Sequence, residues 1–283
     1  MAQQIHWFPG HMNKALNEVE NKVKLVDVVI ELLDARAPIS SINENLEKVI
    51  QNKKRLVVLT KSDLADPNET KKWSEELSKR YDSILTLDLK NNSAEAILSK
   101  AVVAIGKDKW AKEIAKGMKP QPIRTMIIGI PNVGKSSLIN RLAKRKAAGV
   151  QNKPGYTRGE QWIKVSNDFL LLDTPGILPM NYENPKKAAN LALIGAIRED
   201  ILPNEQLGEL LLGYLKEQYP NALKERFSVD QITDRISVLN QIAEKRKLVD
   251  SVGQNDLLRA EALLLKEFKE GLLGKITLEK YGA

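Results

Sequence analysis

Eight residues near the middle of the chain, Gly129-Ile130-Pro131-Asn132-Val133-Gly134-Lys135-Ser136, have the types and spacing of a phosphate-binding loop. Glycines let the backbone wrap closely around phosphate oxygens. Backbone N–H groups from Asn132, Val133 and Gly134 through Ser136 and Ser137 then meet the negative charge at a helix N-terminus. Lys135 is expected to reach the β- and γ-phosphates and assist their transfer, and Ser136 to ligate Mg²⁺.

Three further stretches fit the same chemistry. Asp173-Thr174-Pro175-Gly176 would hold Mg²⁺ through water with Asp173 and sense the γ-phosphate with the N–H of Gly176. Thr157, in Pro154-Gly155-Tyr156-Thr157, is placed to complete the Mg²⁺ shell from a loop. Thr60-Lys61-Ser62-Asp63 would read a guanine base. The Asp63 carboxylate accepts from N1–H and the exocyclic amine, a donor pair that adenine lacks, and the Lys61 stem covers one face of the ring. The usual first residue of such a motif is Asn, and Thr60 in its place is expected to loosen the loop. A last base-contacting motif, due after the strand that follows, is poorly matched by Leu87-Asp88-Leu89-Lys90, and no base contact is assigned there.

These groups need a scaffold, and the hydrophobic pattern supplies one. Apolar, β-rich runs at 26–33, 55–60, 84–89, 124–129, 161–165 and 169–173 alternate with helical stretches such as 42–51, 69–80 and 135–144. Six strands in βαβ order predict a doubly wound, mainly parallel α/β sheet, with 161–165 and 169–173 as a hairpin. Between the halves, residues 100–124 carry seven basic and two acidic side chains and then Lys119-Pro120-Gln121-Pro122, which reads as a basic helix followed by a stiff linker. After about residue 180 helical spacing takes over. Asn204, the capping box Ser228-x-x-Gln231, and Asn255 are expected to start three helices of a small all-helical unit. The expected division is therefore 1–180 for the nucleotide-binding unit, 181–200 for a connection and 201–283 for the helical unit.

The chain has 283 residues, no cysteine and no apolar run of membrane-spanning length, and its start lacks the features of a signal peptide. Disulfides and thiolate metal sites are excluded, and a cytoplasmic location is expected. The net charge of +8 is uneven: residues 1–200 hold 32 Lys/Arg against 23 Asp/Glu, and the remainder 12 against 13. The basic front part suits a polyanion such as RNA, or equally a solvated basic surface.

The guanine motif precedes the phosphate loop by about seventy residues, the reverse of the usual order. With that order, Trp7-Phe8-Pro9-Gly10-His11-Met12-x-Lys14-Ala15, Asp34-Ala35-Arg36-x-Pro38 and the helical tail, the chain resembles the circularly permuted GTPases, in particular those that serve ribosome assembly. The resemblance spans essentially the whole chain. It implies a P-loop GTPase sheet in permuted order, GTP hydrolysis late in maturation of the large ribosomal subunit, stimulation by that particle, and partners among its rRNA and ribosomal proteins. No membrane or DNA partner is expected. It also implies RNA binding by the tail, for which Lys245-Arg246-Lys247 offers either a basic face or merely a solvated helix end.

The residue that orients water in many GTPases, a Gln just after Asp-x-x-Gly, is replaced by Ile177. The resemblance points instead to His11 as the catalytic group. Neutral imidazole can accept a hydrogen bond from water, and Pro9-Gly10 reads as a turn that could swing it. The other reading makes His11 a packing or capping residue beside Trp7 and Phe8. Asn132 suits a K⁺ ion beside the phosphates, or stiffens the loop. A nucleotide-gated binding module with incidental hydrolysis is the alternative function, and a GTPase of tRNA modification, membranes or signalling a more distant one.

Overall fold

A computed structural model of the chain describes residues 9–91, 93–144, 162–172, 184–197 and 202–282. In chain order the elements are α1 (Pro9–Val23), β1 (Val28–Asp34), α2 (Pro38–Ser41), α3 (Glu44–Ile50), β2 (Lys54–Thr60), α4 (Pro67–Leu77), β3 (Ser83–Thr86) and α5 (Ala94–Ala115). There follow β4 (Ile123–Gly129), α6 (Lys135–Lys144), β5 (Trp162–Lys164), β6 (Phe169–Leu172), α7 (Pro185–Leu193), α8 (Asn204–Gln218), α9 (Lys224–Phe227), α10 (Arg235–Arg246) and α11 (Leu257–Glu270).

Among the described residues six strands form one sheet in the order β3-β2-β1-β4-β6-β5. All neighbours pair in parallel except β5, which runs antiparallel to β6 at the edge. The doubly wound sheet expected from the alternating pattern is therefore present. Both faces are covered, which is why the central strands read as continuous apolar runs rather than alternating ones. Val28, Ile30 and Leu32 of β1 share a cluster with Leu98 and Val102 of α5 and Leu138 and Leu142 of α6. Val29 lies on the other face with Val19 and Val23 of α1 and Leu46 and Ile50 of α3.

The long helix α5 carries the chain from the β3 edge back to the centre, where β4 pairs with β1. It lies on the sheet through Ala94, Leu98, Val102 and Gly106, one residue every fourth position. The basic helix and stiff linker read for 100–124 take this form.

The first cluster continues through Leu191 and Leu193 of α7 into Leu207 and Leu211 of α8, Leu239 and Ile242 of α10, and Leu264 and Phe268 of α11. Here the helices stand as expected but their starts do not. Asp234, not Ser228, caps α10, accepting from the N–H of Ser237. Ser228 instead ends α9 in the left-handed region at φ 60°. Asp256, not Asn255, caps α11, and α8 starts after Pro203 with no side-chain cap. Beyond α11 the chain runs back to the sheet unit. Ile276 N–H donates to Leu64 O at 3.0 Å and Leu278 N–H to Arg36 O at 2.7 Å. Glu279, half-buried, accepts from the N–H groups of Ile39 and Ser40. Among the described residues no helix is long and apolar enough to cross a membrane.

Candidate nucleotide site

In an open parallel sheet a ligand site forms beyond the carboxyl ends of the strands, where the winding direction reverses. Here that place lies between β1 and β4. The chain winds outward from β1 to β3, and α5 then returns it to the other side of β1. The loops leaving β1, β2 and β4 meet there, and they carry Asp34-Ala35-Arg36, Thr60-Lys61-Ser62-Asp63 and the phosphate loop.

The phosphate loop follows β4 directly. Gly129 has φ 156°, and a Cβ on it would lie 2.8 Å from Leu32 O and 3.0 Å from Val133 Cγ1. Gly134 has φ 104°, and a Cβ there would come within 2.9 Å of Leu89 Cδ1. Only glycine fits either place. Asn132 also adopts a positive φ, 57°, and Lys61 in the guanine motif one of 56°. Besides these two, the non-glycine residues with positive φ among those described are Ser228 and Lys247, which end α9 and α10. Backbone strain away from helix ends is thus concentrated in the two loops that sequence assigns to the nucleotide. Val133 is buried beneath the loop, and Gly134, Lys135, Ser136 and Ser137 run into the first turn of α6. That turn contains no acidic side chain, so the positive end of the helix faces a bound anion unopposed.

Thr60 corrects one expectation. Its side chain, fully buried, does not loosen the loop: Oγ1 lies 2.7 Å from Val133 O and 3.1 Å from Leu33 O. A hydroxyl has one hydrogen to donate, and the shorter contact joins the end of β2 to the phosphate loop. Thr60→Val keeps the shape and removes that bond, leaving a buried carbonyl short of its donor. We expect a stability loss of about 1–2 kcal/mol by urea unfolding, and a roughly tenfold loss in GDP affinity if the bond also sets the loop, each 1.4 kcal/mol being tenfold. Unchanged affinity would mean the link does not position the loop.

The carboxylate of Asp63 is partly exposed and pairs with Lys90 Nζ at 2.7 Å. Lys90 belongs to the segment left without a role in the sequence. Leu89 beside it packs against Gly134, and its carbonyl accepts from Arg141 Nη1. The segment is thus part of the site although it carries none of the expected residue types. Lys90 is largely exposed, so the pair is worth little in water and a guanine edge can displace it at small cost.

Lys61 Nζ donates to Asp34 Oδ2 at 2.9 Å. Arg36 meets the same carboxylate with Nε on Oδ1 at 3.0 Å and Nη2 on Oδ2 at 2.9 Å. Burial alone would push the Asp34 carboxyl up, but the two cations override it and hold it at about 2. Asp34 is therefore ionised throughout the neutral range. Arg36 gives two further donors to the carbonyls of Ile194 and Lys269, at 3.1 and 3.2 Å. Asn132 Nδ2 donates to Gly195 O at 2.8 Å.

Thr157, Asp173, Gly176 and Ile177 lie outside the described residues. His11 falls in the first turn of α1, and its side chain is likewise outside what is described. Pro9 and Gly10, read as a turn, open that helix instead. Proline suits a first helical position, where no N–H is needed. Ser136, an exposed hydroxyl at the head of α6, suits a hard cation that keeps several waters. In the triplet Lys245-Arg246-Lys247 the two lysines are exposed and the arginine between them is engaged. Arg246 donates to Glu267 at 3.3 Å and lies over the Phe227 ring, and Lys247 is the left-handed end of α10.

Residues 124–204 match the family described as 50S ribosome-binding GTPase. Over 276 residues the chain is 41% identical to ribosome biogenesis GTPase A of Bacillus cereus, covering 97% of this chain and 93% of that protein. Its fold matches the GDP-bound structure of TM YlqF with a TM-score of 0.69 and 25% identity over 94% of this chain and 100% of that one. The GNP-bound YlqF from T. maritima gives 0.67 and 26% over 94% and 98%. A nucleotide crevice built in permuted order and kinship along nearly the whole length lead to one conclusion: the chain is a GTP-hydrolysing enzyme and belongs to the ribosome biogenesis GTPase A family.

Proposed function

We propose that this GTPase acts late in maturation of the large ribosomal subunit and that the particle stimulates its turnover. The observation that carries the nucleotide part is the junction of the two loops at the switch point, with Thr60 tying the strand that presents Asp63 to the carbonyl of Val133. In this reading Asp63 and Lys61 take the guanine, with Lys90 beside them. The N–H groups of 132–137 and Lys135 take the phosphates. Mg²⁺, which would neutralise charge on the β- and γ-phosphates, would be held by Ser136 and Thr157 and, through water, by Asp173. Gly176 would sense the γ-phosphate. Asn132 has its amide nitrogen on Gly195, which leaves its oxygen for a K⁺ ion.

The ribosomal part rests on kinship with ribosome biogenesis GTPase A along nearly the full length. The basic residues of the first two hundred positions suit rRNA. We read residues 1–180 as the GTPase unit, 181–200 as a connection and 201–283 as a helical unit that contributes to RNA binding, in a cytoplasmic protein. In this reading His11, to which the likeness to the permuted GTPases points, orients the water that the Ile177 side chain, with neither donor nor acceptor, is unable to hold.

The test is GTP turnover with and without purified large ribosomal subunits, in K⁺ and in Na⁺. The native chain is expected to be stimulated by the particle and to be faster in K⁺. His11→Ala is expected to lose about a hundredfold of the stimulated rate, the usual contribution of a positioned acid–base group, while GDP affinity stays within about twofold. Stimulation that survives in His11→Ala removes the histidine from the mechanism. GTP binding without any stimulation favours a nucleotide-gated docking module, which Ile177 in place of Gln would suit.

A further inference from the structure

Arg36 is among the largest side chains fully buried in the protein, and its position has a specific electrical logic. The last carbonyls of a helix lack intrahelical partners and form the negative end of its dipole. Ile194 is the residue that ends α7, and Lys269 lies in the last turn of α11. At the end of α11 the N–H groups of Gly271 and Leu272 take the carbonyls of Phe268 and Glu267. The carbonyl of Lys269 is taken by Arg36, as is that of Ile194. One guanidinium therefore serves the C-terminal ends of two helices, and its other edge grips Asp34, which in turn holds Lys61 of the guanine motif. Phe268 of α11 lies under the same guanidinium, 5.8 Å away.

A second contact reaches that motif independently. Gly271, at φ 76° just past α11, sits so close to Leu64 that a Cβ on it would lie 2.6 Å from Leu64 Cδ2. Leu64 directly follows Asp63, and its carbonyl accepts from Ile276 N–H. The end of α11 and the segment after it thus bear on both sides of the guanine motif: at Lys61 through Asp34 and Arg36, and at Leu64 directly.

We propose that Arg36, with the end of α11 behind it, is a positioning residue for the guanine-reading loop, so that gripping the base and docking the helical unit are one linked equilibrium. The proposal rests on the assignment of Thr60–Asp63 as the base-reading motif. Its physical requirement is differential contact. A base held by Asp63 and Lys61 favours the conformer in which α11 is seated, and by reciprocity a pull on α11 weakens the hold on the base. The phosphate loop is reached only indirectly, through Thr60 at the start of the motif and through Asn132 on Gly195 beside Ile194, and its direct continuity with β4 holds it besides, so it is expected to respond much less.

Two measurements test this. Arg36→Lys keeps the charge but loses the planar fork that spans a carboxylate and two carbonyls. Binding of GDP, IDP and inorganic tripolyphosphate is compared in the native chain and this variant. We expect the variant to lose about tenfold for GDP, and most of the preference for GDP over IDP, which lacks the exocyclic amine, with tripolyphosphate unchanged within twofold. A merely structural role would weaken all three ligands together, and that result overturns the proposal, as does an unchanged GDP affinity. The second measurement uses the native chain and does not depend on the variant folding. Amide hydrogen exchange at residues 268–273 is followed with and without saturating GDP. Exchange slowed severalfold by GDP supports the linkage, and unchanged exchange overturns it. Failure of the native chain to bind GDP while binding tripolyphosphate would remove the base-reading assignment itself, and the proposal with it.

Discussion

Asp63→Asn is expected to cut GDP affinity about a thousandfold and to leave a chain that prefers xanthosine diphosphate. Guanine presents two donors, N1–H and the exocyclic amine, and a carboxylate accepts both. Asparagine offers one acceptor and one donor, so the amine meets another N–H. Two charge-assisted hydrogen bonds worth roughly 2 kcal/mol each are lost or inverted. Xanthine replaces the amine by a carbonyl, and N1–H with that carbonyl is the complement of an amide. Lys90, which loses its partner in the variant, is mostly exposed and returns to water at little cost. Titration with fluorescent GDP and XDP analogues decides the matter. A parallel fall for both would mean that Asp63 shapes the loop without reading the base.

Gly129→Ala is expected to cost about 3 kcal/mol of stability and to weaken GDP by more than tenfold. Two penalties coincide. The backbone at φ 156° lies outside the region an alanine readily adopts, and the new methyl would sit 2.8 Å from Leu32 O and 3.3 Å from Leu32 Cβ. Leu32 is the register partner of Gly129 in the central pair β1–β4, so the atom struck is backbone of the least yielding strand. The loop would have to move instead, and the phosphate cradle with it. Gly213 is an internal control: it lies in α8, and a Cβ there meets nothing within 4 Å. Gly213→Ala should be neutral or stabilising by up to about 1 kcal/mol. Urea unfolding and GDP titration of both variants check the contrast; equal stability would locate the glycine requirement elsewhere in the loop.

Much of this was legible in the residues themselves. Strands buried on both faces write themselves as apolar runs, and the phosphate loop has to follow one and open a helix. Glu31 shows the limit of such reading. It lies inside the central strand β1, where its charge is met by Arg55 from β2, and a pairing between strands has no mark in either run. The role of Arg36 was illegible for a stronger reason. Two of its partners are backbone carbonyls 158 and 233 residues away, and every residue type owns a carbonyl. Lys90 carries no such mark, because it reaches Asp63 by side-chain length rather than by matching a pattern. Two helix starts differ from what residue type suggests: Ser228 and Asn255 are good caps by type, but Asp234 and Asp256 stand where the chain turns into the helix.

The long return through α5 and the run of 276–279 back to the sheet also bear on how the molecule is made and kept. Contacts that hold the guanine motif in place join residues far apart in the chain, as between Leu64 and Ile276. Contacts of that kind form late and slowly, because closing a long loop costs entropy before any bond rewards it. A partly formed chain therefore holds no finished crevice. Nucleotide binds only the closed form, and at a concentration a hundred times its dissociation constant it would add about 2.7 kcal/mol to that form alone. The enzyme's own substrate is in this sense its folding ligand. Starved of guanine nucleotide, the chain should become more open to proteases before it becomes merely idle.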